Sequence, residues 1–315
     1  MARPFAPIVT VTLNPAVDVS TSVDQVVAER KLRCEAPLPE PGGGGINVAR
    51  VVRELGLEAT ALWTRGGTAG VRLEALLDAL SLDHRPLPIA GETREHLIVF
   101  ERSTGRQFRF GMPGPMLAEA ERRACVDAVA ALDPAPAYLV LSGSLPDAVP
   151  DDLYAHLIRA APSGCRVVLD TSNAALAEGV KAGPYLVKPN RRELGDLTGA
   201  PVEDDDDVRA AARRLIDEHG VGVVVTSLGA GGVIASNADG DWLAHAPPVR
   251  VRSAVGAGDS MVAALVVALA RGDALEEAVR WGVATGTATV LTEGTQLCRQ
   301  ADVARLYPKV VVRRA

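Results

Sequence analysis

Residues 253–266 run Ser-Ala-Val-Gly-Ala-Gly-Asp-Ser-Met-Val-Ala-Ala-Leu-Val. Gly256 and Gly258 permit a tight turn that brings successive backbone N–H groups close to a ligand. The apolar run after Ser260 reads as a helix, so the N–H groups of Gly256, Ala257 and Gly258 stand at its N-terminus. That end carries unpaired donors and partial positive charge, which suits a phosphate or a developing oxyanion. Asp259 fits there only as a proton acceptor, because a carboxylate otherwise repels phosphate. An anion hole with a base beside it is equipment for moving a phosphoryl group onto a hydroxyl.

Other clusters each admit two readings. Pro41-Gly42-Gly43-Gly44-Gly45-Ile46-Asn47 is either a flexible hinge before a helix or a loop open to a ligand. In the second case Asn47 offers a donor and an acceptor to sugar hydroxyls, with Gly43 and Gly44 beside it. Asp18 follows the turn after the first strand, where it either steadies the turn or accepts bonds from two adjacent hydroxyls. Lys188-Pro189-Asn190-Arg191-Arg192-Glu193 begins a helix after a strand. Asn190 and Glu193 have capping-box spacing, and Glu193 would equally suit a Mg²⁺-bound water or a phosphate. Thr226 to Gly232, with Ser227, Gly229 and Gly231, is a strand and a glycine-rich turn, lying beside a nucleotide or closing a hairpin. Lys31, Arg33, Arg94 and Arg109 are solvated cations if taken singly. Together they would make an anion pocket for a substrate that already carries a phosphate. No GxxxxGK[ST] loop occurs, and the GxGxxG spacing of dinucleotide sites is not met.

The elements that must hold these groups follow from the patterning. The chain has 315 residues, 48% of them hydrophobic but only 3% aromatic, which favours a helix-covered sheet over an all-β fold. Its net charge of −6, without a basic stripe, argues against nucleic-acid or membrane-surface partners. Cys34, Cys125, Cys165 and Cys298 are scattered and read as buried or half-buried thiols. No apolar run reaches membrane-spanning length, and the Met-Ala-Arg-Pro start carries no secretory signal, so a cytoplasmic protein is expected. β-Branched runs at Ile8–Leu13, Ala59–Thr64, Tyr138–Leu141, Val167–Leu169, Tyr185–Val187 and Val223–Thr226 alternate with helical spacing at Val48–Leu55, Arg72–Leu80, Leu117–Leu132, Arg191–Leu197 and Val208–Glu218. The last third is helical at Gly258–Ala270 and Leu275–Leu291, after a hairpin. This is the pattern of an α/β protein, an α/β/α layered domain over residues 1–315 with a mostly parallel central sheet. Segments 19–38 and 94–111 break the alternation and read as a small antiparallel sheet forming a lid over the strand ends.

Taken together, Thr12-Leu13-Asn14-Pro15-Ala16-Val17-Asp18, Gly42–Asn47, Lys188–Glu193 and Val255–Ser260 resemble the ribokinase/pfkB family of carbohydrate kinases over essentially the whole chain. Lys31–Cys34, Glu40–Arg50, Val255–Met261 and Gly294–Cys298 resemble its minor bacterial type of ATP-dependent 6-phosphofructokinase. The resemblance implies a ribokinase-like fold and transfer of phosphate from MgATP to the C1 hydroxyl of fructose 6-phosphate, a glycolytic reaction. Asp259 would be the base, with the N–H groups of Gly256, Ala257 and Gly258 around the transferring group. Asp18, Gly43, Gly44 and Asn47 would hold the sugar, with Arg94, Arg33, Lys31 and Arg109 toward its phosphate. Lys188, Asn190, Glu193, Ser227, Gly229 and Gly231 would face MgATP, Glu193 reaching Mg²⁺ through water. A monovalent-cation (K⁺) site is implied near Ser253, Val255, Thr289, Thr292 and Gly294, and a homodimer through the lid. Tagatose-6-phosphate kinase and 1-phosphofructokinase activities share these signatures, and a catalytically silent sugar or nucleotide sensor is the alternative outside the enzymes.

Overall fold

The computed structural model describes residues 7–315. The Met-Ala-Arg-Pro start lies outside them. In chain order the elements are β1 (Ile8–Thr12), β2 (Ala16–Val23), β3 (Leu38–Gly42), α1 (Gly44–Glu54), β4 (Ala59–Arg65), α2 (Gly67–Ala79), β5 (Asp83–Pro88), β6 (Arg94–Glu101) and β7 (Arg106–Phe110). There follow α3 (Glu119–Ala130), β8 (Tyr138–Ser142), α4 (Leu153–Ala160), β9 (Arg166–Asp170), α5 (Asn173–Val180), β10 (Leu186–Val187), α6 (Arg191–Thr198), α7 (Asp205–His219) and β11 (Val223–Ser227). The chain ends with β12 (Val233–Asn237), β13 (Gly240–His245), α8 (Ala257–Ala270), α9 (Leu275–Thr289), α10 (Gln300–Leu306) and β14 (Val311–Arg314).

The main sheet has the order β14-β13-β12-β11-β10-β9-β8-β1-β4-β5. From β11 to β5 every neighbouring pair is parallel, and only the pairs β11–β12, β12–β13 and β13–β14 are antiparallel. Successive side chains of a strand alternate between faces, so a strand covered on both sides must be apolar throughout. β8 shows this directly. Tyr138 and Val140 join the core under α1, α2, α8 and α9, whereas Leu139 and Leu141 join the core under α3 to α7. The expected three-layered α/β/α domain is therefore present.

The small separate sheet is present too, in the order β3-β2-β6-β7. Its outer pairs are antiparallel as expected, but its central pair, β2 with β6, is parallel. The physical reason is the long excursion through α1, β4, α2 and β5, which returns the chain in its original direction. The first lid segment also differs from the expected 19–38. Pairing covers Ala16–Val23 and Leu38–Gly42, and 24–37 between them is irregular. Leu38–Gly42 did not read as a strand because of Pro39 and Pro41. At the sheet's edge, however, a missing N–H breaks no ladder. The expected solvent shielding of all four thiols holds for Cys125 and Cys298, which are buried, and for half-buried Cys165; Cys34 is exposed.

Leu139 lies fully buried in the central strand. Leu139→Ala should destabilise the fold by about 2–5 kcal/mol in urea unfolding, the usual cost of a core leucine cavity. A loss below ~1 kcal/mol would show that this layer is not close-packed.

Candidate active site

Parallel strands end on one edge of the sheet, and that edge is where this topology collects its polar residues. Asn14 follows β1, Gly143 and Ser144 follow β8, Asp170 ends β9, Lys188 follows β10 and Ser227 ends β11. The N-termini of α1 and α8 reach the same edge, since Asn47 on α1 bonds to Asp259 on α8. A cleft of about 570 Å³ opens there. Its walls include Asp18, Gly43, Gly44, Asn47, Arg94, Arg109, Val255, Gly256 and Asp259. Residues separated by more than 200 positions in sequence thus share one cavity.

Gly256 caps α8 with φ 74°, a left-handed conformation that a side chain resists, and so turns the chain directly into the helix. The first helical turn leaves N–H donors outside the helical ladder. That of Ala257 leans on the Ala254 carbonyl at 3.5 Å, a long contact. Behind this turn α8 is apolar on every side, with Ser260 and Val262 to Ala268 all buried. It packs between α1 and α9, so the position of Asp259 is set by core packing rather than by a loop.

Asp259 is surrounded by protein except toward the cleft. Burial raises its carboxyl to about 6, and Asp170 pushes it the same way. Asn47 and Lys188 oppose this, Asn47 Nδ2 donating to Asp259 Oδ2 at 2.9 Å. Lys188 pairs with Asp170 at 3.1 Å and passes close to Gly258, where an added Cβ would lie 3.3 Å from Nζ. Burial alone would lower the Lys188 ammonium, but Asp170, Asp259 and Glu193 outweigh it and the net shift is upward. The result is an ionisable base beside a permanent cation.

The opposite wall is built by the lid. β2 and β6 pair Ala16 with Arg94 and Asp18 with His96, so four cleft residues stand on two adjacent strands. Asp18 is raised to about 6 by burial, against the pull of Arg109 and Arg94. Arg94 is anchored by Nη2 on the Asn14 carbonyl at 2.9 Å. His96 Nδ1 accepts from the Met112 N–H at 3.1 Å, and burial together with Arg94 and Arg109 lowers the ring to about 4. It is therefore a neutral imidazole with its Nε2 as the donor. His96, Gly143 and Ser144 are cleft residues that the sequence reading missed. Only the parallel β2–β6 pairing brings His96 opposite Asp18, and no local signal announces that pairing.

The glycine cluster is a packed corner and not a hinge. Gly43 sits at φ 122°, and α1 begins one residue later, four positions before the expected Val48. A Cβ on Gly42 would come within 2.6 Å of the Asp18 carboxylate, and one on Gly44 within 2.4 Å of Ser142 Oγ. Lys31 and Arg33 lie in the irregular 24–37 stretch, exposed, and do not line this cleft.

On the other side Asn190 and Glu193 do form the capping box of α6, each side chain bonded to the other's N–H at 2.9 Å. That commits one Glu193 oxygen to the cap and leaves the second outside it. Ser227 bridges to Asn190, and Gly229–Gly231 form a short turn closing the β11–β12 hairpin. Lys188, Asn190, Glu193, Ser227 and the glycine turn therefore sit on adjacent strand ends. Ser253, Val255, Thr289, Thr292 and Gly294 also come together. The Ser253 hydroxyl donates to the Gly294 carbonyl at 2.8 Å, and Thr292 Oγ lies 2.7 Å from the Thr289 carbonyl. The donor set is neutral oxygen, the type that suits a hard cation of low charge.

A family model described as pfkB family carbohydrate kinase matches residues 11–302. The chain belongs to the pfkB family of carbohydrate kinases. It is 43% identical, over 95% of its length and 88% of the relative's, to ATP-dependent 6-phosphofructokinase isozyme 2 of Mycobacterium tuberculosis. The isozyme 2 of Escherichia coli is 41% identical over 95% of this chain and 97% of that protein. A 1-phosphofructokinase of Xanthomonas campestris is 37% identical over 96% of this chain and 94% of that one. Among solved structures, phosphofructokinase-2 from Escherichia coli in complex with potassium superposes with a TM-score of 0.92 at 40% identity, covering 96% of this chain and 99% of that one. The same enzyme in complex with fructose-6-phosphate gives a TM-score of 0.90 at 40% identity over 96% and 99%. Kinases of this family act on ATP with a divalent metal. No helix among the described residues is long and apolar enough to cross a membrane.

For the free enzyme, kcat/KM toward the sugar should need both Asp18 and Asp259 ionised. Each is raised to about 6, so activity should fall as pH drops through that value, with a limb steeper than one proton. A pH–rate profile flat down to pH ~4.5 would contradict these two environments.

Proposed function

We propose that this chain is an ATP-dependent 6-phosphofructokinase, phosphorylating the C1 hydroxyl of fructose 6-phosphate. The observation that carries this reading is the lining of the cleft, in which Asp259 shares one cavity with Arg94, Arg109, Asp18, Gly43, Gly44 and Asn47. Two guanidiniums and a neutral imidazole, His96, form a site for a phosphate already on the substrate. Asp18 and Asn47 suit ring hydroxyls, and the 41% identity to the Escherichia coli isozyme supports the same sugar.

In this mechanism Asp259 removes the proton of the attacking hydroxyl, whose oxygen forms the new bond to the γ-phosphorus as the bond to the ADP oxygen breaks. The proton moves to the Asp259 carboxylate. The α8 N-terminal N–H groups of Gly256, Ala257 and Gly258 and the Lys188 ammonium face the charge spread over the transferring group. Lys188, Asn190, Glu193, Ser227, Gly229 and Gly231 border the nucleotide. Magnesium, arriving with ATP, would neutralise phosphate charge near Glu193 through a bound water. Potassium would be held by the oxygen set of Ser253, Val255, Thr289, Thr292 and Gly294, where Thr289 touches α8 through the Ser260 hydroxyl. The lid exposes Leu97 together with Phe110, its partner across β6 and β7 on the same face of the sheet, apolar surface that a second copy of the chain would cover. A homodimer through the lid fits this, and the Escherichia coli relative has a tetrameric inhibited form.

A coupled ADP-release assay across phosphosugars tests the substrate. Fructose 6-phosphate should give the highest kcat/KM, above tagatose 6-phosphate and fructose 1-phosphate. Unphosphorylated fructose should lose at least ~10³-fold, because the two arginines would be left unpaired. A preference for fructose 1-phosphate would assign the chain to the 1-phosphofructokinases instead.

A further inference from the structure

Arg50 takes no part in the mechanism above, yet its side chain is held inside the protein one helical turn from Asn47. Residues three apart on a helix are neighbours, so the two side chains share a face of α1. Arg50 Nη1 donates to Asn47 Oδ1 at 3.3 Å and to the Pro41 carbonyl of β3 at 3.0 Å. Asn47 Nδ2 donates to Asp259 Oδ2 at 2.9 Å. A continuous chain of contacts therefore runs from the lid strand β3 to the carboxylate that acts as the base.

The chemistry of the groups gives this chain a direction. A guanidinium has five donors and no acceptor, whereas an amide has an acceptor at one end and donors at the other. Arg50 can therefore meet Asn47 only at Oδ1, which leaves Nδ2 for Asp259. The flipped amide would set N–H against guanidinium and carbonyl oxygen against carboxylate, two repulsive contacts in place of two bonds. Burying the guanidinium carries a desolvation cost, and burial does lower Arg50, with Glu40 on β3 and Asp18 on β2 opposing and Arg53 on α1 adding to the fall. A buried cation kept at that cost needs a partner it cannot lose, and here the partners are a lid carbonyl and the amide touching the base.

We propose that Arg50 is a positioning residue for the catalytic base: it locks the Asn47 amide with its donor end on Asp259 and ties that setting to the lid strand through the Pro41 carbonyl. The proposal rests on the assignment of Asp259 as the base. The charged groups facing Asp259 are Asp170 on β9, Lys188 after β10 and Asp18 on β2, and none of them is bonded to Arg50, so the amide is the direct route between the two.

The test is the pH dependence of kcat at saturating sugar and MgATP, where Asp18 is covered by substrate and the acid limb reports Asp259. Arg50→Met should move that limb upward by roughly one pH unit, since the carboxylate loses an oriented donor, while KM for ATP changes less than about twofold. Asn47→Ala should move it by a similar amount, and the double variant should move it no further, as expected for two residues acting through one contact. Arg50→Lys keeps the charge but not the planar fork, so its limb should lie between wild type and Arg50→Met; it also serves if Arg50→Met fails to fold. An unmoved limb in both Arg50 variants, or additive shifts in the double variant, overturns the positioning role. A wild-type profile with no acid limb overturns the assignment of Asp259 instead, so the two failures are distinguishable.

Discussion

Everything at this site depends on keeping one carboxylate charged where charge is expensive. Asp259 stands among apolar helices and beside Asp170, and both burial and like charge favour its protonated form. In the proposed role of base it must nevertheless accept a proton at neutral pH. Lys188, the Asn47 amide and the α8 N-terminus resolve the conflict, each supplying positive potential without supplying a proton. The balance leaves the carboxyl at about 6, ionised in the resting enzyme yet basic enough to take a proton. In the proposed reaction the same groups that favour the charged form of Asp259 would also face the phosphoryl group being transferred.

The fold is arranged around that requirement. α8 has to be buried on all sides so that the turn at Gly256 is rigid, and it achieves this by lying between α1 and α9 on one face of the sheet. α1 has to approach close enough for Asn47 to reach Asp259, which is why Gly44 and Gly45 pack directly on Ser142 and Thr12. The lid then joins the same network from the other side. The Thr295 hydroxyl donates to Glu40, and an added Cβ on Gly294 would lie 3.7 Å from Ser20 Oγ. The loop carrying the neutral oxygen set is thus in contact with lid strands β2 and β3. The lid sheet, Asp259 and the 292–296 loop form one packed unit, so a displacement of any of them is felt by the others.

Much of this was legible in the sequence because the signals are local. The Gly256–Asp259 turn, the Asn190–Glu193 cap and the apolar strands each fall within a dozen residues, where spacing and propensity speak directly. What stayed hidden is non-local. His96 joins the cleft only through the parallel pairing of β2 and β6, and Asp170 meets Lys188 only through the pairing of β9 with β10. Pro39 and Pro41 disguised an edge strand, and four glycines disguised the first turn of a helix, since both break propensity rules that tertiary packing overrides. Lys31 and Arg33 matched a family pattern, but as placed here they are exposed and outside the cleft.

The most direct measurement of the central claim is turnover by Asp259→Asn alongside its binding of fructose 6-phosphate. The amide keeps the shape and the contact to Asn47 but cannot accept the proton. The account predicts that kcat falls by ~10²–10⁴-fold while the sugar's dissociation constant, read by calorimetry, stays within a few-fold of wild type. Near-normal turnover in that variant would contradict it, and would remove Asp259 from the role on which the site is built.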